Sequence, residues 1–441
     1  MKKILEVQEF DKIICKESFA DGKKYKYLPK KEFADLKEFI YSYASYNPED
    51  PDITRFMKID FKSNLGEVIT FQNYVGVIKL PGGCTIQILP KISLNGASEF
   101  HLRETKKILL KMLKSMKDVP SETFQFAGLD TARMDIYEIF IHMYLQEVIK
   151  LLKSGLRSGY IERQDNLNFY KGKLNTSMQI RKNSVHKERF FMEYDEFLPD
   201  RSENRIIKAT LQKLLKLSES AGNRKLIKQL LLQFDGVSAS IQYDVDFSKI
   251  VISRNTKLYE NLMNWSKVFL KEKSFVTFTG AKDARALLFP METVFESYVG
   301  QEIQKFFKKE GWNVSLQDHG KYLFTDPCNK FALRPDIVMR KEDKIFILDT
   351  KWKILIDNKR KNYGITQSDM YQMYAYGKKY QCEHIILLYP LNYEMADKSS
   401  IAFHSGDGIT VEVIFVHLSD MKLTMREIEN SITSRIKGDK S

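Results

Sequence analysis

The fold is decided by two neighbouring stretches of sequence, RPDIV at residues 334–338 and KIFILDTK at residues 344–351. Asp349 lies 13 positions after Asp336, and Lys351 follows Asp349 by two. Two carboxylates and a lysine that converge on one point can hold a divalent metal ion and activate a water molecule. These three residues are therefore the first candidates for a catalytic site.

The residue types around these side chains predict a β-hairpin. Residues 344–349 are β-branched and aromatic, without Pro or Gly, which is typical of a strand. Residues 332–340 predict the preceding strand, with Asp336 near its middle, and the polar residues 341–343 form a loop short enough for a hairpin. Alternate residues of a strand share a face, so Asp349 and Lys351 point to one side and Thr350 to the other. The hairpin can then bring Asp336 close to Asp349.

The chemistry of these groups suits Mg²⁺ or Mn²⁺. Carboxylate oxygens are hard ligands, and Mg²⁺ keeps several waters and needs few protein ligands. We therefore predict that Asp336 and Asp349 bind the metal and that Lys351 positions the attacking water or stabilises developing negative charge. The alternative is a chance Asp-x-Lys, since an Asp at a strand end is often only a turn or cap residue.

Two predicted helices flank the hairpin in the sequence. One begins around Pro290 and carries Glu296, a candidate third metal ligand; the alternative is an ordinary solvated glutamate. The other follows the Asp-x-Lys strand and carries Gln372 and Tyr376, which share a helix face because they are four residues apart. Gln372 is a candidate catalytic residue, and the alternative for this helix is aromatic core packing.

A Gln-x-x-x-Tyr helix in this place resembles the RecB-like branch of the PD-(D/E)xK nuclease superfamily. A narrower resemblance is to the McrC family, the nuclease subunit of McrBC-type modification-dependent restriction systems. Three blocks carry it, in the family's order: VGVIKL at 75–80 with TIQILPK at 85–91; YDEF at 194–197 with Asp200 and ENRIIK at 203–208; and LRPD at 333–336 with LDTKWK at 348–353.

The resemblance implies a type IV restriction endonuclease that acts in phage defence and cleaves double-stranded DNA carrying a 5-methylcytosine-type modification. It also implies a separate McrB-like AAA+ GTPase that translocates the DNA and recognises the modified base. The sequence contains no G-x-x-x-x-G-K-[ST] loop, so this chain is not expected to hydrolyse nucleotides itself.

Two other functions compete with this prediction. One is a non-catalytic adaptor, a degenerate nuclease fold that activates a GTPase ring. The intact set of two aspartates and a lysine argues against it. The other is a RecB-like DNA-repair nuclease that acts without restriction, and a neighbouring gene for a GTP-specific AAA+ protein would argue against that one.

The chain of 441 residues is long for one core and is expected to form several domains. The fold class predicted is α+β and multidomain. Residues 1–98 form a β-rich amino-terminal domain, residues 99–284 a mainly helical, partner-binding region, and residues 285–441 an α/β nuclease core of the PD-(D/E)xK type. In this core we expect the order helix, three strands, helix, strand.

Composition favours a soluble protein with a polyanionic partner. The chain is 43% hydrophobic and 29% charged, with a net charge of +13, which suits DNA; general lysine richness is the alternative. The 4 cysteines are scattered without paired spacing, which indicates reduced thiols and no zinc site. The sequence lacks a signal-peptide core and an apolar run of membrane-spanning length, so we expect a cytoplasmic protein without a membrane partner.

Overall fold

The computed structural model describes residues 4–20, 24–46, 56–92, 99–116, 135–251, 257–271, 276–279, 285–396 and 401–438. The chain divides into two compact units, one built from Met1–Lys117 together with Phe278–Ser441 and the other from Asp118–Thr277. The first unit thus combines both ends of the sequence. The three consecutive domains with boundaries after residues 98 and 284 stay a prediction.

The amino-terminal part of the first unit is rich in strands, as expected from its β-branched runs. Its elements are β1 (Ile4–Gln8), β2 (Lys12–Ile14), β3 (Tyr25–Tyr27), α1 (Lys30–Tyr46), β4 (Met57–Lys62), β5 (Gly66–Phe71), β6 (Tyr74–Lys79), β7 (Thr85–Leu89) and α2 (Glu99–Leu113). One sheet has the order β3-β2-β5-β4. Every residue of β7 is buried, as is typical of a strand covered on both faces.

The second unit is mainly helical. Its elements are α3 (Ile136–Ser154), β8 (Gly159–Leu167), β9 (Lys173–Leu174), α4 (Thr176–Asn183), β10 (Phe190–Leu198), α5 (Ser202–Leu217), α6 (Ala221–Leu232), α7 (Tyr243–Ser248) and α8 (Lys257–Lys271). Aromatic side chains fill its core, where Trp265 stacks on Phe269 at 5.4 Å between ring centroids.

The prediction of a mainly helical region omits one feature of this unit, a sheet of order β8-β10-β9. β8 and β10 pair antiparallel along all 9 residues of each strand. Many of their residues are charged and half-exposed, so they lack the apolar alternation that marks a strand in a sequence.

The carboxy-terminal part of the first unit alternates helices and strands. Its elements follow β11 (Val276–Thr279) and are β12 (Arg285–Pro290), α9 (Met291–Phe307), β13 (Asn313–Leu316), β14 (Lys321–Phe324), β15 (Lys330–Leu333), β16 (Ile337–Lys341), β17 (Lys344–Thr350), α10 (Gln367–Tyr380), β18 (His384–Pro390), β19 (Ile401–His404), β20 (Thr410–Val416) and α11 (Met421–Gly438). The order expected from the sequence is found in α9, β13, β16, β17, α10 and β18. The β14–β15 hairpin is inserted between the first two of these strands.

The carboxy-terminal strands of this unit, apart from the β14–β15 hairpin, belong to two sheets. The first has the order β1-β7-β6-β12-β11. In this sheet β12 pairs with the amino-terminal strand β6, and the last two residues of β11 belong to this unit. The second has the order β13-β16-β17-β18-β20-β19. Within it β16 and β17 are antiparallel, whereas β17 and β18 are parallel and are connected through α10, because parallel neighbours need a crossover.

One strand prediction is wrong at an important position. Asp336 was expected near the middle of a strand, but it lies in the bend between β15 and β16. Pro335 immediately before it has no N–H group to donate to a ladder, which favours a break there. The loop of the hairpin is confirmed, since β16 and β17 pair up to Lys341 and Lys344.

Within the described residues, no helix combines the length and the apolar character needed to cross a membrane.

Candidate active site

Asp349 and Lys351 lie together where β17 ends. The Asp349 side chain is 1% exposed, and Lys351 Nζ lies 2.6 Å from Asp349 Oδ2. The Lys351 backbone N–H donates to the Leu388 carbonyl at 2.9 Å, which extends the strand line and keeps the two side chains on one face, as predicted. Apart from this ion pair, the buried Asp349 Oδ2 has no hydrogen-bond donor among the described residues.

Asp336 reaches the same place from the bend before β16. Its Oδ2 accepts hydrogen bonds from the Thr350 backbone N–H at 2.7 Å and from Thr350 Oγ1 at 2.6 Å. The ladder between β16 and β17 stops at the Ile337–Leu348 pair, so the Thr350 N–H takes a carboxylate as its acceptor instead. The hairpin therefore brings Asp336 to the end of β17. The hydrogen bond from the Thr350 hydroxyl to Asp336 is a contact that strand alternation alone did not predict.

The pKa values of this cluster are shifted because its acids are buried and lie close to one another. Burial, helped by the charge of Asp336 and opposed by Lys351, raises the pKa of Asp349 to about 7. Burial also raises the pKa of Asp336, although the hydrogen bonds from Thr350 oppose this. Burial alone would lower the pKa of Lys351, but the Asp349 carboxylate reverses that and the net change is upward. A cation beside the two acids would favour their ionised forms.

Gln372 lies in direct contact with this cluster. Lys351 Nζ donates to Gln372 Oε1 at 3.0 Å, and Gln372 Nε2 donates to the Tyr376 hydroxyl at 2.7 Å. The two α10 side chains share a face, as their spacing predicts. Tyr376 is 2% exposed, so the chain of hydrogen bonds connects Lys351 to the core beneath α10.

Glu296 lies close by, on α9, but is held by a different residue. Its Oε1 accepts a hydrogen bond from Gln317 Nε2 at 2.8 Å, and its charge helps to raise the pKa of Asp349. The Gln317 backbone N–H donates to the Asp336 carbonyl at 2.7 Å, and Gln317 has a φ of 48°. Sequence reasoning missed Gln317, since nothing local marks a residue that bridges two distant segments.

Another missed contact lies directly after the cluster. Trp352 Nε1 donates to both carboxyl oxygens of Glu9 at 3.1 Å, and the Lys91 backbone N–H donates to Glu9 Oε2 at 3.0 Å. Burial raises the pKa of Glu9 to about 8. The Trp352 ring also packs against Phe295 at 5.2 Å between centroids. The amino-terminal part of the chain therefore anchors the residue that follows Lys351.

The donor chemistry at the end of β17 fits a divalent metal ion. Asp336 and Asp349 offer hard oxygen donors, and a buried oxygen of Asp349 has no donor other than the Lys351 ammonium among the described residues. The described residues hold no group of three or more His, Cys, Asp or Glu side chains arranged to bind a metal. The protein would therefore supply two carboxylates, and Glu296 is not gathered with them as a third ligand.

A family comparison decides what kind of protein this is. The profile of the family described as McrBC 5-methylcytosine restriction system component matches residues 69–390, which is more than half of the chain. The chain belongs to this family. The match includes Asp336, Asp349, Lys351 and Gln372, and the resemblance to McrC predicted from the sequence is confirmed.

Two chains from solved structures of McrBC assemblies are similar to this chain. A chain of the refined half-complex from the tetradecameric assembly of Thermococcus gammatolerans McrB AAA+ hexamers with bound McrC has a TM-score of 0.69 and 18% identity, over 97% of this chain and 100% of that one. A chain of the cryo-EM structure of the Thermococcus gammatolerans McrBC complex has a TM-score of 0.47 and 20% identity, over 67% and 86%. The first shows a common fold along nearly the whole chain. No curated protein matches.

Proposed function

We propose that this chain is the Mg²⁺-dependent endonuclease subunit of a modification-dependent restriction system, and that its carboxy-terminal part is a PD-(D/E)xK nuclease. The observation that carries the proposal is the convergence of Asp336, Asp349 and Lys351 at the end of β17 in a member of the McrBC family. The order α9, β13, β16, β17, α10, β18 supports it. The substrate would be double-stranded DNA, cleaved in the cytoplasm.

Each residue has a role that follows from its contacts. Asp336 and Asp349 would hold the metal ion, and Thr350 orients Asp336 through two hydrogen bonds. The metal, when bound, supplies a water of lowered pKa and neutralises charge on the scissile phosphate. Lys351 stays protonated and can direct its ammonium group at the attacking water or at the phosphate. Gln372 limits the positions available to that ammonium group.

The proposal includes a motor partner. The sequence has no phosphate-binding loop of its own, and the fold resembles a chain from an assembly of McrB AAA+ hexamers with bound McrC. We therefore assign GTP hydrolysis and recognition of the modified cytosine to a separate McrB-like AAA+ GTPase. The segment before residue 285 would contact that partner.

The test is Asp349→Asn, which keeps the size of the side chain and removes its charge. In the presence of the partner, GTP, Mg²⁺ and methylated DNA, cleavage should fall by more than the roughly 10- to 100-fold that follows loss of an outer-shell partner of a metal site. The variant should still fold, as checked by circular dichroism. Cleavage by the folded variant at the wild-type rate would make the proposal wrong.

A second function, that of a non-catalytic activator of a GTPase ring, is favoured by one observation. The described residues contain only a two-carboxylate centre, without a third acidic or histidine ligand. Under this alternative the wild-type chain would stimulate GTP hydrolysis by the partner but would not cut DNA. Measuring both activities on the same preparation separates the two functions.

A further inference from the structure

The β14–β15 hairpin leads directly into the candidate active site. β15 ends at Leu333, and Asp336 follows three residues later. An extended residue spans at most about 3.6 Å, so the Phe331 Cα lies within about 18 Å of the Asp336 Cα. That is roughly five nucleotides along a DNA strand, at about 3.4 Å for each. Whatever the hairpin contacts must therefore be close to the bond that is cut.

One face of this hairpin is fixed to the protein. Leu333 belongs to the hydrophobic core around β17 and α10, and Leu323 packs against that core. Strand alternation would place Phe331 on the same inner face as Leu333. Instead Phe331 has a φ of 56°, and its side chain is 72% exposed. A bulky residue in the left-handed region is strained, and such strain concentrates at functional positions.

A second aromatic ring lies beside Phe331 in solvent. Phe324 is 56% exposed, and the two ring centroids are 5.9 Å apart in an edge-to-face arrangement. An exposed aromatic pair keeps apolar surface in water without stabilising the fold. These rings are therefore available to a ligand with flat apolar surfaces.

The charges around the rings indicate that the ligand is negatively charged. Lys321, Lys330 and Arg334 are exposed, and Asp326 is the one acidic residue between positions 320 and 334. Lys330 is paired directly across from Phe324 in the hairpin. Aromatic rings interleaved with cations are how proteins stack on bases while binding the phosphates between them.

We propose that the β14–β15 hairpin binds the DNA next to the scissile phosphate, with Phe324 and Phe331 stacking against bases and Lys321 and Lys330 contacting the backbone. This inference rests on the proposed endonuclease function. It adds a position for the substrate, which would run from the aromatic pair past Arg334 to Asp336 and Asp349. A hairpin that stacks on bases also opens the duplex locally, beside the point of cleavage.

The experiment measures DNA binding by the full chain, without divalent metal, to a fluorescently labelled duplex of 30 base pairs at several salt concentrations. Phe324→Ala/Phe331→Ala should weaken binding about tenfold, in keeping with the loss of base stacking. Lys330→Gln should reduce the slope of log affinity against log salt by about one. The matched control is Phe61→Ala, since Phe61 on β4 is 77% exposed but lies in another sheet, and it should bind like the wild type.

A further variant separates a binding role from a structural one. Phe331→Gly relieves the positive φ, so the unfolding temperature should stay the same or rise while DNA affinity falls. A lower unfolding temperature with unchanged affinity would mean that Phe331 only supports the fold, and the inference would be overturned.

The inference and the proposed function fail in different ways. Because binding is measured without metal, weaker binding by the hairpin variants of a chain that cuts no DNA would support the hairpin site and contradict the endonuclease alone. If Phe324→Ala/Phe331→Ala and Phe331→Gly both bind DNA with unchanged affinity and cleave it normally, the hairpin site is overturned and the proposed endonuclease function is not. Loss of GTPase stimulation with unchanged DNA affinity would also overturn it and would identify a protein-contact surface instead.

Discussion

Two buried carboxyl groups in the same unit, Asp349 and Glu9, differ in the hydrogen bonds and charges that their neighbours supply. Burial raises the pKa of both, to about 7 and about 8. Both Glu9 carboxyl oxygens share the Trp352 indole N–H, and Oε2 also accepts a hydrogen bond from the Lys91 backbone N–H. Asp349 instead faces a second acid, and among the described residues its buried Oδ2 has only the Lys351 ammonium as a partner.

A raised pKa therefore does not by itself identify an active site. A buried acid whose oxygens are satisfied by donors from distant segments stabilises the fold, because the interactions are complete. A buried acid beside a second acid does not have such a set of donors, and its charged form needs a cation nearby. We therefore regard Glu9 as an anchor for Trp352, and Asp349 as a ligand site.

The largest effect is expected from Lys351→Ala. Loss of the ammonium group should lower single-turnover DNA cleavage by roughly 100- to 1000-fold, the size seen when one group that stabilises transition-state charge is removed. Stabilisation of the protein by Mg²⁺ should persist, because both aspartates are kept. Thermal unfolding with and without Mg²⁺ checks the second point, and a complete loss of the Mg²⁺ effect would mean that Lys351 organises the metal site.

Glu9→Ala should affect stability much more than chemistry. It leaves the Trp352 and Lys91 N–H groups without their acceptor, which should lower the free energy of unfolding by on the order of 3 kcal/mol. Cleavage measured per folded molecule should fall less than tenfold. Urea denaturation gives the first quantity, and Glu9→Gln, which keeps one acceptor oxygen, is the matched control with a smaller loss. If Glu9→Ala lowered cleavage more than Lys351→Ala, the distinction between a structural Glu9 and a catalytic site around Asp349 would be wrong.

The smallest effect is predicted for the pH dependence of stabilisation by Mg²⁺. The folded pKa of Asp349 is raised to about 7, above an unfolded value of about 3.9, so the stability that its neutral form contributes is fully present below about pH 4 and is lost as pH rises through 7. Mg²⁺ needs the ionised form, so the rise in unfolding temperature caused by Mg²⁺ should be larger at pH 8 than at pH 6. Asp349→Asn should remove this difference between the two pH values and Glu9→Gln should not. Equal Mg²⁺ effects at both pH values in the wild type would contradict the prediction.

Local patterns predicted the part of the site that depends on local geometry. Asp349 and Lys351 share a side because strand residues alternate, and Gln372 lies over Tyr376 because helix residues four apart are neighbours. The short polar loop after β16 brought Asp336 near. Each of these inferences needs only the period of one element or the length of one loop.

The rest of the site depends on contacts that leave no local pattern. Glu9 and Trp352 are separated by 343 positions, and neither lies in a motif that points to the other. Gln317 connects Glu296 to Asp336 from a strained backbone position, and the Thr350 hydroxyl turns to Asp336 once the ladder has ended. The charged strands β8 and β10 were not predicted, because they are defined by their pairing with each other and not by a hydrophobic face.

The assignment of Asp336 and Asp349 as metal ligands is tested most directly by locating the metal ion through iron-mediated cleavage of the protein backbone. Fe²⁺ that replaces Mg²⁺ generates radicals, with ascorbate and peroxide, that cut the chain near the bound ion. We expect fragments that end close to Asp336 and Asp349. Mg²⁺ should suppress these fragments by competition, and they should disappear in Asp349→Asn but persist in Glu9→Gln. Cuts that lie elsewhere in the chain, or that are unchanged in Asp349→Asn, would contradict the assignment of these aspartates as the metal site.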